Sequence, residues 1–286
     1  MQELNKMRNQ ALFGNTIACV CIIIGFIVLF SSIGIGILMI LTGFLILFII
    51  SKTIGKSFKR AYKNKICKEV LEKLFDIHDY DPENGFSEDF VKGTYFISSG
   101  NTYSSDDYVS GSYQGYEFER SDVCMQDVRS TGKSTTVVTL FKGSWTIFSF
   151  HKAISSYLLI REREFLSNGK PGGIFSNAPH TNKVKFEDID FNERFDVYAQ
   201  DEHDAFYVLT PHFIEKIKKL ESKMDGRLII GIHDDKVHVL FDNGKNAMEP
   251  SLLNEVSEDD YRIIEDEMES IIEIIETLDI MMKERD

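Results

Sequence analysis

The sequence predicts an α+β protein with an N-terminal hairpin of two transmembrane helices, followed by a cytoplasmic domain that has a curved, mainly antiparallel sheet and flanking helices. Three observations support this class. Residues 12–50 contain no Asp, Glu, Lys, Arg or His. Short runs of alternating apolar residues occur throughout residues 86–165. Apolar residues also recur every three or four positions in two later segments, residues 210–224 and 257–283.

The uncharged stretch is too long for a single transmembrane helix. Its 39 residues would extend about 58 Å at about 1.5 Å per residue, nearly twice the roughly 30 Å hydrocarbon core of a bilayer. Ser31, Ser32, Gly34 and Gly36 interrupt it near its middle. We therefore predict two transmembrane helices, at about residues 12–30 and 33–50, within a membrane anchor that comprises residues 1–50.

Basic residues flank both outer ends of this hairpin. Lys6 and Arg8 precede it. A basic collar follows it and consists of Lys52, Lys56, Lys59, Arg60, Lys63 and Lys65. An excess of Lys and Arg marks the cytoplasmic side of membrane helices, so we predict a multi-pass protein of the inner (plasma) membrane with both termini in the cytoplasm. The collar would also contact the bilayer through anionic lipid headgroups.

Charge distinguishes the anchor from the rest of the 286-residue chain. Residues 1–65 carry eight Lys or Arg against Glu3 alone, so they contribute +7 to a net charge of −13 and the remaining residues carry −20. An acidic domain repels a phosphate backbone, which excludes nucleic acid as a partner. The four cysteines form neither a CxxC motif nor a disulfide pattern, in agreement with a reducing cytoplasm.

A basic juxtamembrane helix is predicted over residues 51–78. Apolar residues recur at every fourth position of this segment, at Ile54, Phe58, Tyr62, Ile66, Val70 and Leu74. The soluble α+β domain is predicted to comprise residues 79–254, which begin with a turn-rich segment. Strands are predicted at residues 95–98, 107–113, 115–123, 135–141, 144–150, 157–161, 183–186, 195–198, 227–232 and 236–241.

Two helices are predicted in the C-terminal half. Thr210 as N-cap and Pro211 as first residue begin one helix, which ends near Asp225. An acidic C-terminal helix occupies residues 255–286 and runs from about Ser257 to about Lys283. Two interpretations of its acidic residues remain open. They face solvent, or the helix packs back along residues 54–74 and brings them near the collar.

No segment completes a motif for catalysis, metal binding or nucleotide binding. The segment from Thr131 to Thr135 resembles the end of a phosphate-binding loop, but Asp127 replaces the required first glycine and strands flank the segment. Asp106 and Asp107 lack the ligand spacing of a calcium loop. We therefore predict no catalytic residue, no metal site and no cofactor.

Several segments, in their order and spacing, match one family pattern. They are residues 107–111 with Gly115 and Phe118, residues 141–143 with 150–152, residues 191–198, Asp201 with residues 204–211, and residues 249–252. Over about residues 60–282, and in having two preceding spans, the chain resembles a family of bacterial membrane proteins known as domain of unknown function 3137. The resemblance implies no activity. It suggests membrane proteins of the LemA type as neighbours.

Together these features favour a binding or scaffolding module of unknown ligand at the inner face of a bacterial membrane. The candidate partner or ligand surface consists of Asp107, Gly111, Lys142, Asp201, His203, Asp204 and His212. The alternative is a membrane-tethered enzyme that uses the acidic and His residues around Asp201 to His212. Convergence of these residues with Asp107 in one pocket would favour the enzyme, whereas separate positions would favour the module.

Overall fold

A computed structural model describes residues 1–98, 100–132, 134–149, 156–163, 179–224, 226–233, 235–246 and 248–282. The chain forms two compact units. The anchor unit comprises Met1–Val70 and Met248–Glu265, and the sheet unit comprises Leu71–Ala247 and Asp266–Asp286. Phe150, Asp225 and Lys283, at the ends of predicted elements, and Lys133, in the segment from Thr131 to Thr135, lie outside the described residues.

The predicted N-terminal hairpin is present in the anchor unit. Helix α1 spans Gln2–Val28 and helix α2 spans Ile33–Ile50. Both helices are long and apolar enough to cross a membrane by length and composition, yet only 17% of the most apolar window of each is buried. Large apolar side chains such as Phe13, Ile27 and Leu38 are more than 60% exposed. Core helices of soluble proteins bury such side chains, so this exposure suggests a membrane anchor.

Small residues allow α1 and α2 to approach closely. Apart from Arg8, which binds a later segment of the anchor unit, the buried positions repeat every seven residues, at Leu4, Ala11, Ala18 and Gly25 in α1 and at Gly36, Gly43 and Ile50 in α2. A Cβ atom added to Gly43 would lie 2.5 Å from Ile22 Cγ1 and 2.9 Å from the carbonyl oxygen of Ala18. A seven-residue repeat keeps one seam in contact along two coiled helices. The glycines therefore belong to the helix interface.

The second helix continues without interruption to Leu74. Two π-helical turns, Ser51–Gly55 and Lys63–Cys67, alternate with α3 (Lys56–Tyr62) and α4 (Lys68–Leu74). An α-helical turn contains roughly 3.6 residues, so apolar residues at every fourth position would shift gradually around the surface of a regular helix. Each wider π turn absorbs about one residue of that shift. Phe58, Tyr62, Ile66 and Val70 consequently stay on one buried face.

The sheet unit contains the predicted curved sheet. Nine strands are formed by the described residues, in the order β1-β2-β3-β4-β9-β8-β5-β7-β6, and all neighbouring pairs are antiparallel. The strands are β1 Asp76–Asp81, β2 Thr102–Tyr113, β3 Tyr116–Ser130, β4 Thr135–Ser149, β5 Leu158–Glu162, β6 Asn182–Val184, β7 Phe195–Ala199, β8 Arg227–His233 and β9 Lys236–Asp242. Irregular pairing in β1/β2, β2/β3 and β3/β4 bends the sheet.

Strand β4 joins two segments that the sequence separates at Gly143. A Cβ atom at this position would lie 1.9 Å from the carbonyl oxygen of Phe241 in β9. The glycine is thus required by a close backbone approach between neighbouring strands, and no turn forms there. The turn between β3 and β4 instead includes Thr131, whose backbone N–H donates to the carbonyl oxygen of Ser134 at 3.0 Å. A strand on each side of this turn agrees with the exclusion of a phosphate-binding loop.

Short helices flank the sheet, and their caps explain where they begin. They are α5 Glu88–Gly93, α6 Ile189–Arg194, α7 Glu202–Val208 and α8 Pro211–Lys223. The prediction for α8 is confirmed, because Thr210 Oγ1 accepts a hydrogen bond from the Phe213 backbone N–H at 3.3 Å. Ser87, Asp188 and Asp201 cap the other three helices in the same way.

The last helix, α9, spans Glu258–Met282. Its predicted apolar seam is buried at Ile264, Met268, Ile271, Ile275 and Leu278. Within the anchor unit, the Tyr62 hydroxyl donates to Asp260 Oδ1 at 2.9 Å and the Tyr261 hydroxyl donates to Glu69 Oε2 at 3.0 Å. The first turns of α9 therefore pack along the juxtamembrane helix, with tyrosine hydroxyls between the two helices.

Candidate functional site

Of the predicted surface residues, Asp107 lies in a buried charged cluster of the sheet unit. Its side chain is 0% exposed and accepts a hydrogen bond from the Tyr80 hydroxyl at 3.3 Å. Arg120, also 0% exposed, donates from Nη2 to Asp122 Oδ1 at 2.8 Å and to Glu267 Oε1 at 3.1 Å. Strand β2, strand β3 and helix α9 each contribute to this cluster.

Charge explains how the cluster is held in the interior. Burial acts to lower the pKa of Arg120, but the carboxylates of Asp122, Glu267 and Asp107 outweigh burial and raise this pKa above its usual value. The guanidinium therefore remains charged, and it compensates the neighbouring carboxylates. Oxygens of Asp106, Asp107 and Asp122 lie within 4.8 Å of one another, so among the described residues these three carboxylates have the spacing of a group that could ligate a metal ion. The permanent positive charge of Arg120 beside them favours an ion-pair network.

Sequence reasoning missed Arg120 and Glu267. One signal was available in β3, where Phe118, Arg120 and Asp122 alternate and therefore share one face of the strand. Two opposite charges on an otherwise apolar face indicate a buried pair. No local signal identifies Glu267, because it lies 147 positions away in the chain.

Gly111 and Lys142 have backbone roles in the sheet. A Cβ atom on Gly111 would lie 2.6 Å from the carbonyl oxygen of Asp76 in β1, so glycine permits this strand pairing. The Lys142 backbone N–H donates to Asp242 Oδ1 at 3.0 Å, and Lys142 pairs with Cys124 in β3. Burial raises the pKa of the Cys124 thiol, and Lys142 partly opposes this rise.

The residues from Asp201 to His212 surround two helix starts. Asp201 accepts a hydrogen bond from the His203 backbone N–H at 2.8 Å and thereby caps α7. Asp204 accepts one from the Ser156 hydroxyl at 2.5 Å. His203 and His212 are exposed. Within the described part of the chain, the one acidic, His and Cys group that includes Asp107 contains none of these residues. The residues from Asp201 to His212 therefore do not join Asp107 at metal-ligand distance, as the enzyme alternative would favour.

The basic collar divides into two groups in the anchor unit. Lys59 Nζ and Lys63 Nζ lie 2.5 and 3.4 Å from Glu249 carboxylate oxygens. These lysines lower the pKa of Glu249 against the opposing effect of its burial. Lys63 is buried, and Lys59 is exposed beside Glu249. The other collar residues are also exposed, namely Lys52, Lys56, Arg60 and Lys65.

Glu249 belongs to a segment, residues 248–257, that we call the strap. It lies between β9 and α9 and is fastened to the start of α1. Asn5 Nδ2 donates to the Val256 carbonyl oxygen, and the Val256 backbone N–H donates to Asn5 Oδ1, both at 2.9 Å. Arg8, 7% exposed, donates from Nε to the Leu252 carbonyl oxygen at 3.1 Å and from Nη2 to that of Leu253 at 3.3 Å. The strap thus connects α1 with the juxtamembrane helix.

His238 is a buried titratable group in the apolar core of the sheet unit. It is 2% exposed, and its Nδ1 accepts a hydrogen bond from Trp145 Nε1 at 3.1 Å. Burial, together with the charges of Lys236 and His233, lowers its pKa from 6.5 to about 3. The ring is therefore neutral in the folded protein, with its proton on Nε2.

We expect this histidine to make the fold sensitive to acid. Below pH 6.5 the unfolded chain binds a proton at His238, whereas the folded chain binds that proton only near its lowered pKa of about 3. The free energy of unfolding therefore decreases as the pH is lowered from 6.5 towards 3. Between pH 6.5 and about pH 5 the expected loss is about 2 kcal/mol. Urea unfolding at both pH values should show a smaller loss for His238→Gln, while His203→Gln, at an exposed position, keeps the wild-type loss. Equal losses in all three proteins would contradict this assignment.

Comparison with known proteins identifies a family for the C-terminal half of the chain. Residues 139–280 match the family model described as "Protein of unknown function (DUF3137)". No curated protein matches the chain. The crystal structure of the mycobacterial trehalose monomycolate transport factor A, TtfA, aligns over 80% of this chain and 98% of its own, with 11% sequence identity and a TM-score of 0.41. This match assigns residues 139–280 of the chain to the family of proteins of unknown function DUF3137.

Proposed function

We propose that this chain is a membrane-anchored binding module with its hairpin in the inner membrane and its sheet unit on the cytoplasmic side. The observation that carries the proposal is the exposed apolar surface of α1 and α2. Exposure of this apolar surface to water is unfavourable, whereas the hydrocarbon core of a lipid bilayer accommodates it. The hydrogen bonds of Asn5 and Arg8 to the strap then fix the start of α1 to the rest of the anchor unit.

A binding role is favoured over catalysis by how the polar residues are used. In the described residues, Asp201 caps a helix and Asp204 holds Ser156. The carboxylates near Asp107 are occupied with Arg120. A general acid or base requires a group positioned beside a substrate pocket. The exposed side chains of His203 and His212 are instead available to a partner.

The exposed part of the collar would bind anionic lipid headgroups. Lys52 and Lys56 follow the last apolar turn of α2 directly, and Lys52 Nζ lies 5.2 Å from the centre of the Phe48 ring. A lysine so placed keeps its ammonium group at the membrane surface while its methylenes lie on apolar residues. Lys59 and Lys63 would contribute little, because they already bind Glu249.

Fractionation of cells that express the full chain tests membrane insertion. We expect the protein to remain in the membrane pellet after washes with high salt and then with alkaline carbonate, because apolar burial holds the hairpin. Release by salt would mean that only the collar binds the membrane. Release by carbonate would mean that the hairpin lies on the surface. Either release would contradict the proposal.

A further inference from the structure

The centre of the strap lies nearer than its two ends to the start of the uncharged stretch of residues 12–50, which we call the apolar span. Its contact with Asn5 is made by Val256, and its contact with Arg8 is made by Leu252 and Leu253. Arg8 lies three residues further along α1, about 4.5 Å nearer to the apolar span. From Leu253 to Val256 the strap therefore leads away from the span.

The other half of the strap descends along the juxtamembrane helix. Neighbouring positions in the hairpin fix the relative height of the two helices, since Gly14 contacts Ile50 and Gly25 contacts Ile40. Extending this antiparallel register places Lys59 level with about residue 6 of α1, and Lys63 level with about residue 2. Glu249, which binds both lysines, therefore lies further from the apolar span than the centre of the strap.

The centre of the strap presents an exposed apolar side chain. Leu253 is 81% exposed, although Met248 and Val256 at the two ends of the strap are 0% and 5% exposed. The backbone at Leu253 is held from both sides, because its N–H donates to Ser251 Oγ at 3.2 Å and its carbonyl oxygen accepts from Arg8. A single exposed leucine is common on protein surfaces, so its position beside the start of the apolar span and its fixed backbone are what make Leu253 informative.

We propose that Leu253 inserts into the cytoplasmic leaflet and forms a third point of membrane contact beside the two helices. The occupant of this surface is the bilayer itself, because the centre of the strap lies beside Arg8 of α1, about one helical turn before the apolar span begins at Leu12. Exposed lysines of the collar would hold anionic headgroups nearby. This inference rests on the proposed function, since it requires the hairpin to lie in the membrane.

Tryptophan quenching by brominated phosphatidylcholine in proteoliposomes tests the proposal. Trp145 is the chain's one tryptophan and is 0% exposed, so the wild-type protein gives the background. We expect the added tryptophan of Leu253→Trp to be quenched at least twofold more by lipids brominated near the headgroup than by lipids brominated near the chain ends. The matched control is Ile263→Trp, whose site is 57% exposed in the same unit. Ile263 lies further along α9 than Asp260, the residue that binds Tyr62, and is therefore further from the apolar span. The quenching of its tryptophan should remain at the background level.

A third variant separates failure of this inference from failure of the proposed function. Phe44 is 57% exposed near the middle of the hairpin, so Phe44→Trp should be quenched most by lipids brominated near the chain ends. If Phe44→Trp is quenched but Leu253→Trp behaves like Ile263→Trp, the strap lies in water and the inference is wrong. If Phe44→Trp is not quenched, the hairpin is not in the bilayer and both proposals are wrong.

Discussion

Replacing Arg120 with alanine should lower the free energy of unfolding of the sheet unit by about 3–5 kcal/mol, because removal of one partner from a buried ion pair leaves uncompensated charge. Asp122 and Glu267 would lose the guanidinium that donates to both of them. Asp107 would lose a neighbouring positive charge. Urea unfolding of the detergent-solubilised full chain, followed by Trp145 fluorescence, measures the loss.

The same strand provides the control for this substitution. Arg129 also lies in β3, and its side chain is 78% exposed beside Asp127. An exposed pair contributes about 0–1 kcal/mol, so Arg129→Ala should change stability little. Equal effects of Arg120→Ala and Arg129→Ala would show that the buried network does not stabilise the fold.

Leucine at Gly43 should force the hairpin helices apart. The first added carbon would already lie 2.9 Å from the carbonyl oxygen of Ala18, a backbone atom that cannot rotate away. Overpacking of this kind costs about 1–3 kcal/mol, and interaxial distances between packed helices vary by about 2 Å with the residues at the contact. Spin labels at Gln10 and Lys56, both exposed, should report a mean distance longer by about that amount.

Gly34 offers a matched substitution in the same helix. A Cβ atom at Gly34 would meet nothing within 4 Å, so Gly34→Leu should leave the label distance unchanged. A hairpin that is equally undisturbed by leucine at either glycine would contradict the seven-residue seam.

Local patterns were sufficient where the determinants lie close together in sequence. Uncharged length predicts the hairpin, Thr210 and Pro211 predict the start of α8, and apolar spacing predicts the buried seam of α9. The strand predicted at residues 95–98 is wrong, although Phe96 and Ile97 are buried. Tyr95 has a φ of 56°, which breaks the extended backbone after α5.

Long-range contacts account for the rest of the differences. Gly143 resembles a turn residue in sequence, but its role depends on the backbone of Phe241 almost a hundred positions later. The residues from Asp201 to His212 are candidate acids and bases in the sequence, whereas in the structure Asp201 caps a helix. The charged cluster of Asp107 requires Glu267 from α9. The spacing of residues along the sequence does not show which distant residues come into contact.

Cysteine accessibility on intact cells tests the central claim most directly. In a variant that lacks the four native cysteines, we would place single cysteines at Ser31, in the hairpin connection, and at Gln2 and Asp286, near the two termini. The account predicts that an impermeant maleimide labels Ser31→Cys on intact cells and labels Gln2→Cys and Asp286→Cys only after lysis. Labelling of the terminal cysteines on intact cells, with Ser31→Cys protected, would contradict a hairpin that enters the membrane from the cytoplasm.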